Sequence, residues 1–230
     1  MTQNLDAIIN ETLAAHAKLT KKVGDPAKLV GTFQWPWDIA SAGARHLRDH
    51  GGAVSGLVDG GSKVINSSSG SSIVGAVSSG PTNPANTDKV LNDGLFSGAL
   101  NAVKADQLLR TVFIGWSTGA QVGFVGGGGG SGVAYDVINH STRAAVSFGS
   151  FNLGIGGGIS AGLLLGAMTA QPRDLSDSTN VWQFGASLAV SALVMVIMRS
   201  SDLSLIGFGL NLGGGVGVSS STGYGSISVS

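Results

Sequence analysis

The amino-acid sequence predicts an α+β fold in which a helical N-terminal region is followed by a glycine-rich, mostly antiparallel β barrel or sandwich. Charge supports the division. The chain has 13 basic and 13 acidic side chains, of which 18 lie within residues 1–106, and beyond that point only Arg110, Asp136, Arg143, Arg173, Asp174, Asp177, Arg199 and Asp202 remain. Glycine runs the other way, with 25 of 38 in residues 107–230. The spacing of apolar residues also changes just past Arg110, from a helical period of about 3.6 to the strand period of 2. These shifts set a boundary near residue 105, between a helical and Gly/Ser-rich region over 1–105 and a glycine-rich β domain over 106–230.

Leu5, Ile8, Ile9, Leu13, His16 and Leu19 repeat at helical spacing, with Asp6 and Glu11 early and Lys18, Lys21 and Lys22 late, the order that complements the helix dipole. Gly24 and Pro26 end that helix. A second helix is expected from Asp38 to about His50, opened by Pro36 and closed by Gly51 and Gly52. Residues 51–80 read as a Gly/Ser-rich stretch, residues 81–88 (PTNPANTD) as a loop, and residues 87–109 as a further short helix.

Past Arg110 the runs TVFIGW, GVAYDVI, AAVSFGSFNLGI, GISAGLLLGAM, VWQFGASLAV, LVMVIMR and LIGFGLNLG read as strands. Two of them share a frame, since FNLGIGGGISAG begins at Phe151 and FGLNLGGGVGVS begins 57 residues later at Phe208. Each puts large apolar side chains on one parity and mainly glycine on the other. Phe151, Leu153, Ile155 and Ile159 are therefore expected to face the same core as Phe208, Leu210, Leu212 and Val216. An unbroken strand of about sixteen residues would span roughly 50 Å, longer than strands usually run. The triple glycines Gly156, Gly157, Gly158 and Gly213, Gly214, Gly215 are accordingly expected to bend the chain and split each run in two. The bare glycine face suits close packing against another element, which is the expected use, or contact with an acyl chain.

A net charge of zero gives no basis for a nucleic-acid partner, and the lack of cysteine removes disulfides and thiolate metal sites. Asp6 and Glu11 interrupt the segment where a secretory signal would need a basic start and an apolar run, so no signal peptide is read there. Residues 181–198 (VWQFGASLAVSALVMVIM) form the longest uncharged apolar stretch. Trp182, Phe184, Leu188, Val190, Val194 and Val196 fall on one parity within it, which favours strand over a membrane-spanning helix.

Several motifs bear on chemistry. GWSTG, residues 115–119, has the form G-x-S-x-G after a strand-like run, as a hydrolase nucleophile elbow would. The helix such an elbow needs is replaced by AQVGFVGGGGGSG, and only His140 follows Ser117 as a base, so Ser117 is not expected to be a nucleophile. Gly127, Gly129 and Gly132 satisfy G-x-G-x-x-G, but strand-like VAYDV follows where a dinucleotide site needs a helix, and the segment reads as a glycine-rich turn. His46 and His50 lie one helical turn apart in HLRDH, with no third ligand evident, and read as a solvated polar face. FQWPWD, residues 33–38, sets Trp35 and Trp37 near Lys18, Lys21, Lys22 and Lys28. That combination suits the membrane interface, where indole rings sit at headgroup level and ammonium groups meet phosphate. Clamping of the two indoles onto the β domain is the structural alternative.

The ordered glycine motifs resemble the SYLF lipid-binding domain family. GFVGGGGGSGVAYD (residues 123–136) is similar to that family's first glycine-rich strand pair, SFNLGIGGGIS (150–160) to its central segment, FGASLAVSA (184–192) to the stretch after it, and RSSDLSLIGFGLNLGG (199–214) to its closing turn and strand. The chain departs from the family at Gly158, which stands where the central motif has an acidic residue, and lacks its Trp-Ser-x-Pro element. The resemblance covers about residues 110–218 and implies a compact glycine-rich β domain that binds membrane lipid and is not an enzyme.

Together these readings give a non-catalytic lipid or membrane binder without cofactor or metal, cytoplasmic or peripheral to a membrane. Its expected partner is membrane lipid, anionic where Lys18, Lys21, Lys22 and Lys28 meet it, and self-association is a second expected contact. The alternatives are a self-associating structural or pore-forming protein, in which alternating apolar and small residues line a membrane barrel, and a serine hydrolase using Ser117.

Overall fold

A computed structural model of the chain describes residues 36–187, 191–216 and 219–229, together with Ala7, Asn10, Leu13 and Ala14. The described helices are α1 (Pro36–Asp49), α2 (Gly51–Ile65), α3 (Gly70–Ser79), α4 (Pro84–Leu91) and α5 (Ser97–Ala105), with 3₁₀ turns at Gly94–Phe96 and Pro172–Asp174. Asp38 in the first turn of α1 and His46 and Arg48 in its last complement the dipole. The Asn83 side chain caps α4 by accepting from the Ala85 N–H at 3.0 Å, with Pro84 at the first helical position.

Two expectations for this region need correction. Residues 51–80 hold two helices, and the stretch read as the loop 81–88 contains the start of α4. Glycine in a helix interior costs about 1 kcal/mol against alanine, but in α2 it permits close contact. A side chain at Gly56 or Gly60 would run into Ala102 or Ala99 of α5, and Ala53, Val54, Leu57, Val58 and Val64 keep a buried helical stripe.

The strands are β1 (Thr111–Asp136), β2 (Arg143–Met168), β3 (Asp177–Ser187), β4 (Ser191–Arg199), β5 (Leu205–Val216) and β6 (Ser219–Val229). Neighbours run in the order β1-β2-β5-β4-β3-β6, all antiparallel, and β6 also pairs with β2. The two strands of 26 residues each serve twice. Residues 146–156 of β2 lie beside β6, and residues 159–168 lie beside β5. β1 folds back along itself, so that the Val137 N–H donates to the Arg110 carbonyl at 2.9 Å and Gly132 lies against the Ile114 carbonyl. The result is a closed antiparallel β-barrel of eight strand segments. Closure leaves no free sheet edge along these segments.

Glycine makes the bends without splitting the strands as the sequence suggested. β2 runs through Gly156, Gly157 and Gly158 and changes neighbour there, with Gly158 at φ 156°, and β5 runs through Gly213 at φ 149°. Side chains rarely adopt these angles, so glycine keeps the ladder continuous where another residue would break it. β1 shifts register between Gly123 and Val125.

The two parities of the barrel have different neighbours. Inward, Phe113, Val146, Leu164, Val181, Met195, Ile197 and Ile227 form an apolar cluster to which Phe148 adds, its ring edge-on to Phe113 at 6.2 Å. Outward, Ile114, Tyr135, Leu165, Trp182, Phe184, Val194, Phe208, Leu210 and Leu212 share one core with the helices. Gly43 of α1 lies on the Trp182 indole, and Gly61 of α2 lies over Leu165 and Leu212. The glycine-rich parity thus faces inward, and the close-packing use of the bare face is the one the barrel makes.

Inward glycines differ in what surrounds them, which gives a direct test. A Cβ on Gly132 would fall on backbone, 2.6 Å from the Gly115 Cα, whereas one on Gly209 would meet only the Met195 methyl at 2.9 Å. Gly132→Ala is expected to lower unfolding free energy by about 1–3 kcal/mol, and Gly209→Ala by less than about 1 kcal/mol, because a methionine end can move and a strand cannot. Chemical denaturation of the two variants decides it, and equal losses would show that backbone approach does not set the requirement.

Candidate membrane-contact site

The repeated frame ends in two environments. Phe151, Leu153 and Ile159 share the outward parity of Phe208, Leu210 and Leu212, as the pairing of Ile159 with Val216 and of Leu163 with Leu212 requires. The β5 set is buried, with exposures of 0%, 0% and 1%, while Phe151, Leu153 and Ile159 are 54%, 48% and 71% exposed. The expectation that both sets face one core is therefore corrected. The described helices pack on β3, β4, β5, part of β6 and the neighbouring parts of β1 and β2, and among the described residues none covers the outward faces of Phe151 and Leu153. Val122 and Val125, also exposed, extend the row, with Val125 directly opposite Leu153. Large apolar side chains gathered on one uncovered wall mark a contact surface more often than chance exposure does.

The described part of the interior holds a small cavity. All six strands contribute to a cavity of about 30 Å³ lined by Phe113, Phe148, Leu164, Met195, Ile197 and Ile227 among others. That volume suits about one water molecule and is far too small for an acyl chain.

Ser117 lies in the middle of β1, which continues as strand to Asp136. It is buried, its Oγ has no hydrogen-bond partner, and its place in the chain is not the strand-to-helix turn that a nucleophile elbow uses. Gly127, Gly129 and Gly132 are strand residues of β1 rather than a turn, and no helix follows them. Among the described residues no group of three or more His, Asp or Glu is arranged to hold a metal ion.

The helical layer that leaves the row bare is tied to the barrel by polar contacts. His46 Nε2 donates to the Leu203 carbonyl at 3.0 Å, in the β4–β5 turn, where Leu203 itself has φ 59°. His50 Nδ1 donates to Asp106 Oδ2 at 2.6 Å, fixing the junction of α1 and α2 against the end of α5. The solvated face read into HLRDH is thus a pair of tertiary contacts, missed because their partners lie 157 and 56 residues away. The buried Tyr135 hydroxyl meets Thr87 of α4, and Arg143 reaches Asp88 at 3.5 Å.

Lys18, Lys21, Lys22, Lys28 and Trp35 lie outside the described residues. Trp37 is in the first turn of α1, and its side chain is outside the description as well. Among the described residues no helix is long and apolar enough to cross a membrane. The exposed row was not legible as a site because its parity is that of a buried strand, and only the placement of the helices distinguishes it.

No family model matches the chain, and no curated protein matches it. Among solved structures, the virulence-associated protein VapD from the intracellular pathogen Rhodococcus equi is similar with a TM-score of 0.38 and 14% identity, over 53% of this chain and 99% of that one.

Burial pushes the Tyr135 hydroxyl well above the usual phenol range, the Thr87 hydrogen bond opposes the shift, and Asp88 reinforces it. The neutral hydroxyl therefore adds stability that is complete below the unfolded phenol value of about 10 and is lost as pH rises beyond it. The melting temperature should fall more steeply between about pH 9 and about pH 11 in the parent protein than in Tyr135→Phe. Parallel curves would show that Tyr135 does not hold the α4 contact in its neutral form.

Proposed function

We propose that this chain is a non-catalytic lipid or membrane-binding protein whose barrel presents an apolar wall to the bilayer. The observation that carries the reading is the outward row of Phe151, Leu153, Ile159, Val122 and Val125, left exposed among the described residues, on strands whose matched counterpart in β5 is fully buried under helices. The described interior cavity, about 30 Å³, is too small for an acyl chain and so favours contact on the outside of the barrel. In the same proposal Lys18, Lys21, Lys22 and Lys28 supply attraction to anionic headgroups, at roughly 1 kcal/mol per lysine near such a surface, and Trp35 and Trp37 add an apolar anchor that salt does not screen. A SYLF-like lipid-binding domain is the finer family reading that accompanies it.

A self-associating structural protein is the second reading, and the same row favours it, since a second copy would cover it equally well. Association by edge pairing is disfavoured by closure of the barrel. A membrane-spanning pore would need an apolar outer band all round, and in this arrangement the outward side chains of β3, β4 and β5 are occupied by helices.

Sedimentation with anionic liposomes tests the proposal. The protein pellets with them at low salt, Lys21→Glu with Lys22→Glu removes the salt-sensitive part, and Trp35→Ala with Trp37→Ala lowers the salt-resistant part. Ser117→Ala changes neither. Retention in the supernatant with every anionic lipid would sink the membrane reading in favour of self-assembly, and covalent labelling of Ser117 by a fluorophosphonate would restore the hydrolase.

A further inference from the structure

The barrel is electrically one-ended. Its eight charged residues, Arg110 through Asp202, all lie where β1 begins and ends, where β2 begins, and in the connections leading into β3 and β5. Those positions share one rim, because Thr111 pairs with Met168, Tyr135 with Arg143, Thr179 with Arg199 and Met168 with Gly207. The opposite rim holds the bend of β1 near Gly123, the bend of β2 near Gly157, the paired ends of β3 and β4 at Ser187 and Ser191, and the ends of β5 and β6 at Val216 and Ser219. In the sequence, residues 111–135, 144–172, 178–198 and 203–230 contain no Asp, Glu, Lys or Arg.

The lining changes with the charge. Toward the charged rim the inward side chains are mainly apolar, as with Phe113, Leu164 and Ile197, with Thr179 among them. Toward the uncharged rim they are Ser117, Asn152, Gln183, Asn211 and Ser221, all buried, with Gln183 Nε2 donating to Ser221 Oγ at 2.8 Å. On the outside of that same half stand Val122, Val125, Phe151, Leu153 and Ile159. Polar inside and apolar outside is the pattern of a strand wall facing lipid, whereas the wall beneath the helices carries its apolar outer face into a protein core.

We propose that the protein enters a bilayer end-on, uncharged rim first, and that this step uses the glycerol and hydrocarbon region of neutral phospholipid instead of anionic headgroups. The proposal rests on the membrane reading above and names the lipid class and orientation. Charge selects the occupant. A protein interface surrounds its apolar centre with a polar, charged rim, whereas every charged group of the barrel stands at the far end, as entry into hydrocarbon requires.

The test uses the full chain, which contains no cysteine and so accepts one label cleanly. Val122→Cys and Ile159→Cys carry an environment-sensitive fluorophore at the uncharged rim, and Ile138→Cys, at a residue 85% exposed on the charged rim, controls for exposed apolar position alone. With phosphatidylcholine vesicles at high salt the first two labels shift to the blue and brighten, and the third does not. Val122→Asp with Ile159→Asp lowers vesicle partition about tenfold, since charge near the lipid face opposes entry. A response of equal size at Ile138, or none at any label while the protein still pellets with anionic vesicles, overturns end-on entry and leaves the membrane reading standing. Failure to pellet with either lipid overturns both. Blue shifts that grow with protein concentration without vesicles identify a second copy as the occupant and overturn the proposal.

Discussion

An eight-segment barrel has room inside for large side chains at only some inward positions, and this chain meets that limit with glycine. Gly115 and Gly132 bring the two halves of β1 together at backbone distance, Gly166 and Gly209 leave space for Phe113, Met195 and Leu164, and Gly207 leaves space for Met168. With the inside closed in this way, the large residues of the alternating pattern point outward. An outward apolar face cannot stand in water over its full extent, so the fold depends on what covers it.

The helices meet part of that need. Gly43 admits the Trp182 indole, Gly61 admits Leu165 and Leu212, the His46 and Thr87 contacts fix the helical layer on the β4–β5 turn and on β1, and the His50–Asp106 contact ties the helices to one another. Burying a Leu or Phe side chain is worth about 1.5–3 kcal/mol, so Phe208, Leu210 and Leu212 anchor the layer strongly. Phe151, Leu153 and Ile159 follow the same pattern without that cover. The functional reading comes from this difference between two copies of one motif.

Much of this architecture was legible in the sequence. The change of period past Arg110, the strand reading of VWQFGASLAV and LVMVIMR, and the shared parity of Trp182, Phe184, Val194 and Val196 all recur in the paired strands. The helices over residues 51–79 were hidden because glycine, normally a helix breaker, is used there to let α2 approach α5. β6 escaped notice because SSSTGYGSISV carries few apolar side chains, and its register comes from pairing with β2 and β3. Local pattern fixes which parity a residue takes, but coverage depends on elements far away in sequence. The exposed row was therefore out of reach of any reading by periodicity.

Hydrogen–deuterium exchange of the intact protein, free and on phosphatidylcholine vesicles, measures most directly whether the uncovered wall is the contact surface. The account predicts added protection in peptides spanning residues 119–125 and 151–160, with residues 136–143 at the charged rim unchanged. Protection confined to the N-terminal region, or strongest at residues 136–143, would contradict it.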